Sequence, residues 1–150
     1  MLRAVACVAA NGVIGKAGSL PWNVPEDMRR FKELTMGHAL ILGRNSYMGP
    51  LVGRKLVVLS RRGFSVPEGI EIAKTKEEAL KTAFSFDPEP FVIGGAEIYK
   101  LFEPELGLLY LTRLDEEYEG DVVFPIDLGN WRKKEALPFE KGVFETWERA

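Results

Sequence analysis

The chain has 150 residues, of which 46% are hydrophobic and 28% are charged, a balance typical of one globular domain with a single core. The formal net charge of −2 argues against a nucleic-acid partner, and one cysteine (Cys7) and one histidine (His38) are too few for an internal disulfide or a zinc site. No apolar run is long enough to span a bilayer, so we expect no membrane partner and a reduced, cytoplasmic enzyme or binding domain.

The predicted elements alternate between strand and helix and end on strands alone. A continuous apolar run over residues 2–10 predicts a central strand that is covered on both faces. A helix over 25–35 follows, opened by Pro25 in its first turn. The remaining elements are, in chain order, strands at 39–42 and 55–60 around a short helix at 45–48, a strand near 70–73, a helix opened by the capping-box pattern at Thr75, a strand at 91–93, a helix over 96–102, a strand at 108–114, and two strand-like segments near 132–137 and 143–148.

This order predicts an α/β fold in which residues 1–150 form a single domain. Alternation of strand and helix is typical of parallel sheets, whereas strands that follow each other directly pair antiparallel. We therefore expect a central, mostly parallel, twisted sheet with an antiparallel C-terminal edge strand and about four flanking helices.

An acidic residue lies on the apolar side of the first predicted helix. Asp27 shares that side with Phe31 and Leu34, four and seven residues later, and Met28 lies beside it. A carboxylate there is either a first-turn charge that the helix dipole stabilises or an acid held in an apolar cleft. In the second interpretation, desolvation by Met28 and Phe31 raises the pKa of Asp27. The stretch itself does not decide between the two.

Two strand–glycine–helix junctions, at 42–44 and 93–96, are candidates for phosphate binding. A helix N-terminus presents free N–H groups, and glycine lets the backbone approach a phosphate closely. Neither junction is the three-glycine dinucleotide fingerprint, but both follow predicted strands, and ligands of open sheets bind at the carboxyl ends of strands. The third predicted strand leads into Arg61 and Arg62. With Arg44 these arginines suit the 2′-phosphate of NADPH; the alternative is a solvated basic turn.

Three further residues are open to more than one role. Arg54, directly before a strand, either grips a carboxylate in bidentate fashion or is a surface charge. Thr112, inside an apolar strand, either satisfies its hydroxyl locally or holds the Asp27 carboxyl in position. Cys7 is interpreted as a small buried core residue rather than a nucleophile, since no activating histidine is near it in the sequence.

Taken together, these residues resemble the dihydrofolate reductase family over essentially the whole chain. The motifs that carry the resemblance are, in order, Val13-Ile14-Gly15, the stretch from Leu20 to Asp27, Phe31-Lys32, Leu42-Gly43-Arg44, Gly53-Arg54, Leu59-Ser60-Arg61, Ile93-Gly94-Gly95, Tyr110-Leu111-Thr112, and Gly120-Asp121 with Phe124-Pro125. The resemblance implies a monomeric enzyme that reduces 7,8-dihydrofolate to tetrahydrofolate with NADPH and binds antifolates such as methotrexate.

The resemblance implies four catalytic residues. Asp27 would hydrogen-bond the pterin N3 and 2-amino group and promote protonation at N5, and Thr112 would bond Asp27 and the amino group. Trp22 would hold an ordered water near Asp27, and Leu20 belongs to a loop, 15–23, that closes over nicotinamide and pterin. The rest of the substrate side would be Arg54, paired with the glutamate α-carboxylate, and an apolar wall of Val5, Ala6, Met28, Phe31, Leu51 and Ile93.

The resemblance also implies a cofactor side for NADPH and no metal ligands. Backbone groups of Cys7 and Ile14 would contact the nicotinamide carboxamide, the segments 43–46 and 94–96 would cradle phosphates, and the strand end at 60–61 would receive the 2′-phosphate. The expected cofactor-binding residues are Ala6, Cys7, Val13, Ile14, Gly15, Ser19, Gly43, Arg44, Asn45, Ser46, Leu59, Ser60, Arg61, Lys74, Ile93, Gly94, Gly95, Ala96, Glu97, Ile98 and Tyr99.

Two departures from the family pattern carry expectations of their own. Glu97 stands where bacterial members often have a basic residue, which shifts the phosphate contacts to Arg44 and Arg61. The last predicted hairpin is very short, so we expect Asp121 to hold the loop 15–23 closed, without the occluded loop position of some members.

Two alternatives to this function are a pyrimidine reductase of riboflavin synthesis with the same fold and a non-catalytic nucleotide-binding module. The first shares the cofactor residues but has no reason to carry Trp22, Asp27 and Arg54 together. The second explains the glycines and arginines but not an acid on an apolar face.

Overall fold

The structure is a computed structural model that describes residues 1–15 and 21–150, so the predictions for Ser19 and Leu20 lie outside the described residues. The α-helices are α1 (Pro25–Thr35), α2 (Lys76–Phe86) and α3 (Ala96–Phe102). The strands are β1 (Leu2–Val8), β2 (Val13–Gly15), β3 (Ala39–Gly43), β4 (Lys55–Leu59), β5 (Glu71–Ala73), β6 (Phe91–Val92), β7 (Leu106–Leu114), β8 (Val122–Val123), β9 (Trp131–Phe139) and β10 (Gly142–Arg149).

Eight strands form one sheet in the order β5-β4-β3-β6-β1-β7-β10-β9. All neighbours from β5 to β7 pair in parallel, whereas β10 is antiparallel to both β7 and β9. The predicted mostly parallel sheet with β1 at its centre is confirmed. Its antiparallel part is a hairpin of two strands with a short turn, and β2 and β8 form a separate antiparallel ribbon.

One of the four predicted helices is a single 3₁₀ turn, Arg44–Ser46, so the described residues contain three α-helices rather than about four. The Tyr47 N–H bonds to the Arg44 carbonyl, three residues earlier and 3.3 Å away, as in a 3₁₀ turn. Gly49, with a positive φ of 104°, and Pro50 follow directly, so the chain turns away before an α-helix can extend. No helix in the described parts of the chain is long and apolar enough to cross a membrane.

The starts of α1 and α2 follow the sequence signals. Pro25 occupies the first position of α1, where its missing N–H has no helical partner to lose. Thr75 caps α2, because its Oγ1 accepts the Glu78 N–H at 3.1 Å. The Glu78 carboxylate in turn accepts the Lys74 N–H at 3.2 Å, so the capping pattern closes as a reciprocal pair one residue further back than the usual box.

Side chains of the sheet alternate between two hydrophobic clusters, one on each face. The cluster on the α1 face consists of Val5, Leu40, Leu42, Leu56, Val58 and Phe91, with Phe31 and Leu34 of α1 packed against it. The opposite cluster contains Ala4, Ala6 and Val8 of β1 together with buried residues of α2 and α3. Cys7 is two residues after Val5 and therefore lies on the α1 face.

Candidate active site

The Asp27 carboxylate accepts a hydrogen bond from Thr112, with 2.6 Å between Thr112 Oγ1 and Asp27 Oδ1. Asp27 lies in the first turn of α1, and Thr112 is buried in β7. Cys7 is the register partner of Thr112 in the parallel pair of β1 and β7, so both side chains lie on the α1 face. The expected contact between Asp27 and Thr112 is thus present, and the Cys7 side chain joins it.

Burial raises the pKa of Asp27 above its ordinary value. Hydrogen bonds from Thr112 and Cys7 and the charge of Arg30 act in the opposite direction without outweighing the desolvation. Desolvation, followed by the Asp27 charge, also raises the pKa of the Cys7 thiol, which therefore stays protonated. These directions favour an acid held in an apolar cleft over a first-turn charge stabilised by the helix dipole.

The residues around Asp27 shield it unequally. Met28 is 61% exposed, so it shields Asp27 less than its place beside Asp27 in the sequence predicts, whereas Phe31 packs against the α1-face cluster. Trp22 Nε1 is buried and makes no well-aligned hydrogen bond among the described residues, although it lies close enough to the Cys7 sulfur to act toward lowering the thiol pKa. The Trp22 ring packs against Tyr118, with 5.1 Å between ring centroids. The Trp22 indole therefore presents a buried donor close to the start of α1.

Four of the six predicted wall residues share one cluster. Val5, Phe31, Leu51 and Ile93 all belong to the α1-face cluster or pack against it. Ala6 does not, because side chains alternate along β1 and place it in the cluster on the opposite face. Only backbone groups of that residue remain available to this cleft, which corrects the expectation that it forms part of the apolar wall.

Arg54 lies at the other end of α1. Its Nη1 is 3.4 Å from Thr35 Oγ1, and its Nε donates to the Val52 carbonyl at 3.1 Å. Thr35 ends α1, eight residues after Asp27, which corresponds to about 12 Å along a helix. A carboxyl group and a guanidinium therefore stand at opposite ends of one apolar helix face.

A second cleft, of about 1340 Å³, lies at the carboxyl ends of β1, β3, β4 and β6, and is called the strand-end cleft below. These strands span three neighbouring spacings of the sheet, or about 14 Å. Most of the predicted cofactor residues line it: Cys7, Ile14, Gly43, Arg44, Asn45, Ser46, Leu59, Ser60, Arg61, Ile93, Gly95, Ala96, Glu97, Ile98 and Tyr99. Cys7 reaches both this cleft and the surroundings of Asp27, so the two sites adjoin at the end of β1.

The two glycine junctions touch each other at this cleft. The Gly43 N–H donates to the Gly94 carbonyl at 2.9 Å, and the Gly94–Gly95 peptide is cis. Gly94 has a φ of +107°, and a Cβ there would lie 3.0 Å from the Tyr99 ring. A Cβ at Gly43 would lie 2.9 Å from Ile98. Larger residues at these positions would therefore force Tyr99, Ile98 or the glycine backbone to shift.

Three arginines stand at the β4 end of the cleft. Arg44, Arg61 and Arg62 line it and form no ion pair with a carboxylate in the described parts of the chain. The Ser60 hydroxyl donates to the Arg62 carbonyl at 2.5 Å and so closes the turn that carries two of these guanidiniums. This end of the cleft is suited to a doubly charged anion such as a phosphate.

Some of the predicted cofactor residues lie outside the cleft, and some residues that line the cleft were not predicted. Ala6, Val13, Lys74 and Gly94 are described but do not line the cleft, and Gly15 belongs to β2. Lining residues outside the predicted set include Met48, Gly63, Phe64 and Val122. The signal for two of them was available, because Gly63 and Phe64 directly follow the arginine pair at the end of β4.

A mostly parallel sheet with an arginine-lined cleft at its strand ends, beside a shielded acid on a facing helix, is typical of an α/β enzyme that uses a phosphorylated nucleotide. Comparison of the chain with known proteins specifies its family. The model of the family described as dihydrofolate reductase matches residues 1–146. The chain belongs to the dihydrofolate reductase family, and it is therefore an NADPH-dependent oxidoreductase that reduces dihydrofolate.

Individual relatives agree with the family model. The chain is 38% identical to dihydrofolate reductase HdrB of Haloferax volcanii, over 97% of this chain and 81% of that protein. It is 36% identical to dihydrofolate reductase of Bacillus subtilis, over 88% and 80%. A solved dihydrofolate reductase of Enterococcus faecalis, complexed with NADP(H) and RAB-propyl, superposes with a TM-score of 0.91 at 35% identity, covering 99% of this chain and 96% of that one.

Proposed function

We propose that Asp27 holds the pterin ring of dihydrofolate through its N3 and 2-amino groups and promotes protonation of N5, while Thr112 orients the carboxyl group. The observation that carries this proposal is the 2.6 Å bond from Thr112 to an Asp27 whose pKa burial raises. A carboxyl group with a raised pKa holds a proton closer to neutral pH than an exposed one does. It is therefore suited to a reaction that needs a proton at N5.

NADPH fits the strand-end cleft, on the evidence of the residues that line it. Backbone of the joined glycine junctions faces the cleft, and Arg44, Arg61 and Arg62 offer guanidiniums without carboxylate partners. We propose that the junctions hold the phosphates, that the three arginines hold the 2′-phosphate, and that Cys7 and Ile14 border the nicotinamide. When bound, NADPH supplies the hydride that reduces C6 of the pterin.

The side chains between the two sites would keep the reaction dry and aligned. Val5, Phe31 and Ile93 pack together and would exclude water from one side of the pterin. The buried Trp22 Nε1 is the donor proposed to hold a single ordered water beside Asp27. The closing loop 15–23, with Leu20, and its restraint by Asp121 remain predictions, because residues 16–20 lie outside the described residues.

Arg54 is proposed to bind the α-carboxylate of the substrate's glutamate tail. Its position near the end of α1, about 12 Å along the helix from Asp27, suits a substrate with a ring at one end and a carboxylate at the other. Substituting Arg54→Leu should raise KM for dihydrofolate about tenfold or more, because a charge-assisted hydrogen bond is lost. Arg29→Leu, an exposed arginine on the same helix, is the matched control and should leave KM unchanged.

The experiment that tests the proposal is NADPH oxidation with dihydrofolate, repeated with 7,8-dihydropteroate, which has the same pterin oxidation level but lacks the glutamate tail. Wild type should prefer dihydrofolate, and Arg54→Leu should lose most of that preference because only the tail contact has been removed. Preference retained in Arg54→Leu would overturn the role of Arg54. Methotrexate should inhibit both variants through Asp27, with weaker binding to Arg54→Leu.

We also propose that the enzyme acts as a monomer, as its resemblance to the dihydrofolate reductase family implies. Size-exclusion chromatography with light scattering tests this. The single-domain organisation of residues 1–150 and the cytoplasmic location stay predictions from the sequence; limited proteolysis and cell fractionation test them.

A further inference from the structure

The ring of Phe64 lies under the guanidinium of Arg44, with 3.8 Å between Arg44 Cζ and the ring centroid. Both residues line the strand-end cleft, which Arg61 and Arg62 also line. A guanidinium at this distance over an aromatic ring is attracted by the negative face of the ring. Arg44 forms no ion pair with a carboxylate among the described residues, so the stack on Phe64 is the side-chain contact there that restrains its guanidinium.

Phe64 is itself held in place. It is partly buried, packs against the α1-face cluster, and lies 5.7 Å from the Tyr47 ring between centroids. The bond from Ser60 to the Arg62 carbonyl closes the turn that precedes it. These contacts hold the Phe64 ring in position independently of Arg44.

We propose that Phe64 is a positioning residue that acts through Arg44 to set the preference of this enzyme for NADPH over NADH. The proposal rests on the cofactor site proposed above. The two cofactors differ only in the adenosine 2′-phosphate. Stacking occupies one face of the guanidinium and leaves the N–H groups on its edge free to meet that phosphate. A guanidinium already held in place loses less side-chain entropy when the phosphate binds.

The neighbouring arginines lack this support. Arg61 and Arg62 are exposed, and neither lies over an aromatic ring among the described residues. Their charges attract a phosphate without fixing its direction. Arg44 is therefore the arginine through which an aromatic residue can influence cofactor choice.

The first experiment compares kcat/KM for NADPH with kcat/KM for NADH in wild type, Phe64→Leu and Phe64→Tyr. Leucine keeps the apolar contact but has no aromatic face, so the NADPH-to-NADH ratio should fall roughly three- to tenfold. The change should come from a higher KM for NADPH, with KM for NADH nearly constant. Tyrosine restores the aromatic face and should restore the ratio. Phe84→Leu, an exposed phenylalanine on α2, is the control and should keep the wild-type ratio.

A double-mutant cycle with Arg44→Ala separates this proposal from the proposed cofactor site. Arg44→Ala alone should lower the ratio, and adding Phe64→Leu should lower it no further. A normal ratio in Phe64→Leu, with a reduced one in Arg44→Ala, would overturn the role of Phe64 and leave the cofactor site standing. A normal ratio in Arg44→Ala would overturn both. Additive effects would show that Phe64 contacts the cofactor independently, which also contradicts the proposal.

Discussion

The start of α1 and the C-terminal hairpin each shield a carboxyl group from water, and the pKa values of the two groups shift in opposite directions. At Asp27, burial raises the pKa. The uncharged donors Thr112 and Cys7 act to lower it but do not offset the effect of burial. At Glu145, which is 3% exposed, burial also acts to raise the pKa, but bonds from Lys133, Trp147 and Arg113 outweigh it and lower the pKa.

The difference lies in the charge of the donors rather than in their number. Lys133 Nζ is 3.1 Å from Glu145 Oε2, and Arg113 Nε is 3.0 Å from Oε1, so two cations neutralise this carboxylate. A neutral hydroxyl or thiol satisfies the lone pairs of a carboxylate without neutralising it. The hairpin thus holds a permanent anion that stabilises the fold, whereas α1 presents an acid that can keep its proton.

The largest expected effect is on catalysis at Asp27. Asp27→Asn should lower turnover at neutral pH by about 100-fold or more, because the proton source for N5 is lost. NADPH binding should stay within twofold of wild type. The deficit should shrink as pH falls, since solution then supplies the proton. Turnover measured from pH 5 to pH 9 tests this, and a deficit of equal size at every pH would contradict the role of Asp27.

The next effect is on stability at the hairpin. Glu145→Gln should lower the free energy of unfolding by about 1–3 kcal/mol at pH 7, because hydrogen bonds to a charged group are lost. The folded pKa of Glu145 is lowered, so wild type has the full benefit above about 4.3, the value of unfolded Glu, and loses it as pH falls through the folded value. Urea unfolding should therefore show the two proteins converging in acid.

The matched control for the hairpin is Glu135→Gln. Glu135 is exposed on β9, in the same hairpin, and its substitution should change the free energy of unfolding by less than about 0.5 kcal/mol. The free energies of unfolding of Glu145→Gln and wild type should differ less in acid than at pH 7. An equal difference at both pH values would show that packing rather than charge causes the loss.

A smaller effect is expected at Thr112. Thr112→Val keeps the shape of the side chain but removes the donor to Asp27, so KM for dihydrofolate should rise about three- to tenfold. Loss of the donor should also raise the pKa of Asp27 further, moving the alkaline fall in turnover to higher pH. Thr112→Ser keeps the hydroxyl and should behave like wild type. An alkaline limb that stays in place or moves down in Thr112→Val would count against the bond.

The smallest effect is on stability at Asp27, and its dependence on pH is opposite to that at Glu145. Because the folded pKa of Asp27 is raised, the folded protein holds this proton more tightly than the unfolded chain, and stability is lost as pH rises from about 3.9, the value of unfolded Asp, through the folded value. Asp27→Asn should therefore be at least as stable as wild type at pH 7 and no more stable at pH 3. Thermal unfolding at the two pH values tests this, and a destabilised variant at pH 7 would show that the carboxylate stabilises the fold.

The sequence predicted the features that depend on local pattern or on the family motifs. Alternating strands and helices predicted the parallel sheet, and the contact of Thr112 with Asp27 followed from two motifs of the resemblance. The glycine junctions were placed at the cleft because strand ends and helix starts can be recognised along the chain. These features need no knowledge of how distant side chains pack.

Features that depend on packing between distant segments were not predicted. Asp87, between α2 and β6, is 6% exposed and accepts the Ala39 N–H at 2.9 Å, 48 residues away in the chain, and no local sequence pattern indicates this contact. The stack of Arg44 on Phe64 has the same origin, because 20 positions separate the two residues. Likewise, the exposure of Met28 depends on what lies opposite α1, which periodicity alone does not reveal.

The bond between Gly43 and Gly94 has a consequence for the speed of cofactor exchange. It joins Gly43, the last residue of β3, to the loop that follows β6, so outward movement of either segment alone breaks the bond. A hinge motion that opens this part of the cleft would have to break the bond or move both loops as one body. Cofactor entry and exit should therefore depend on movement of the residues around Gly43 and Gly94. The backbone proposed to bind the phosphates should keep the same shape before and after the cofactor leaves.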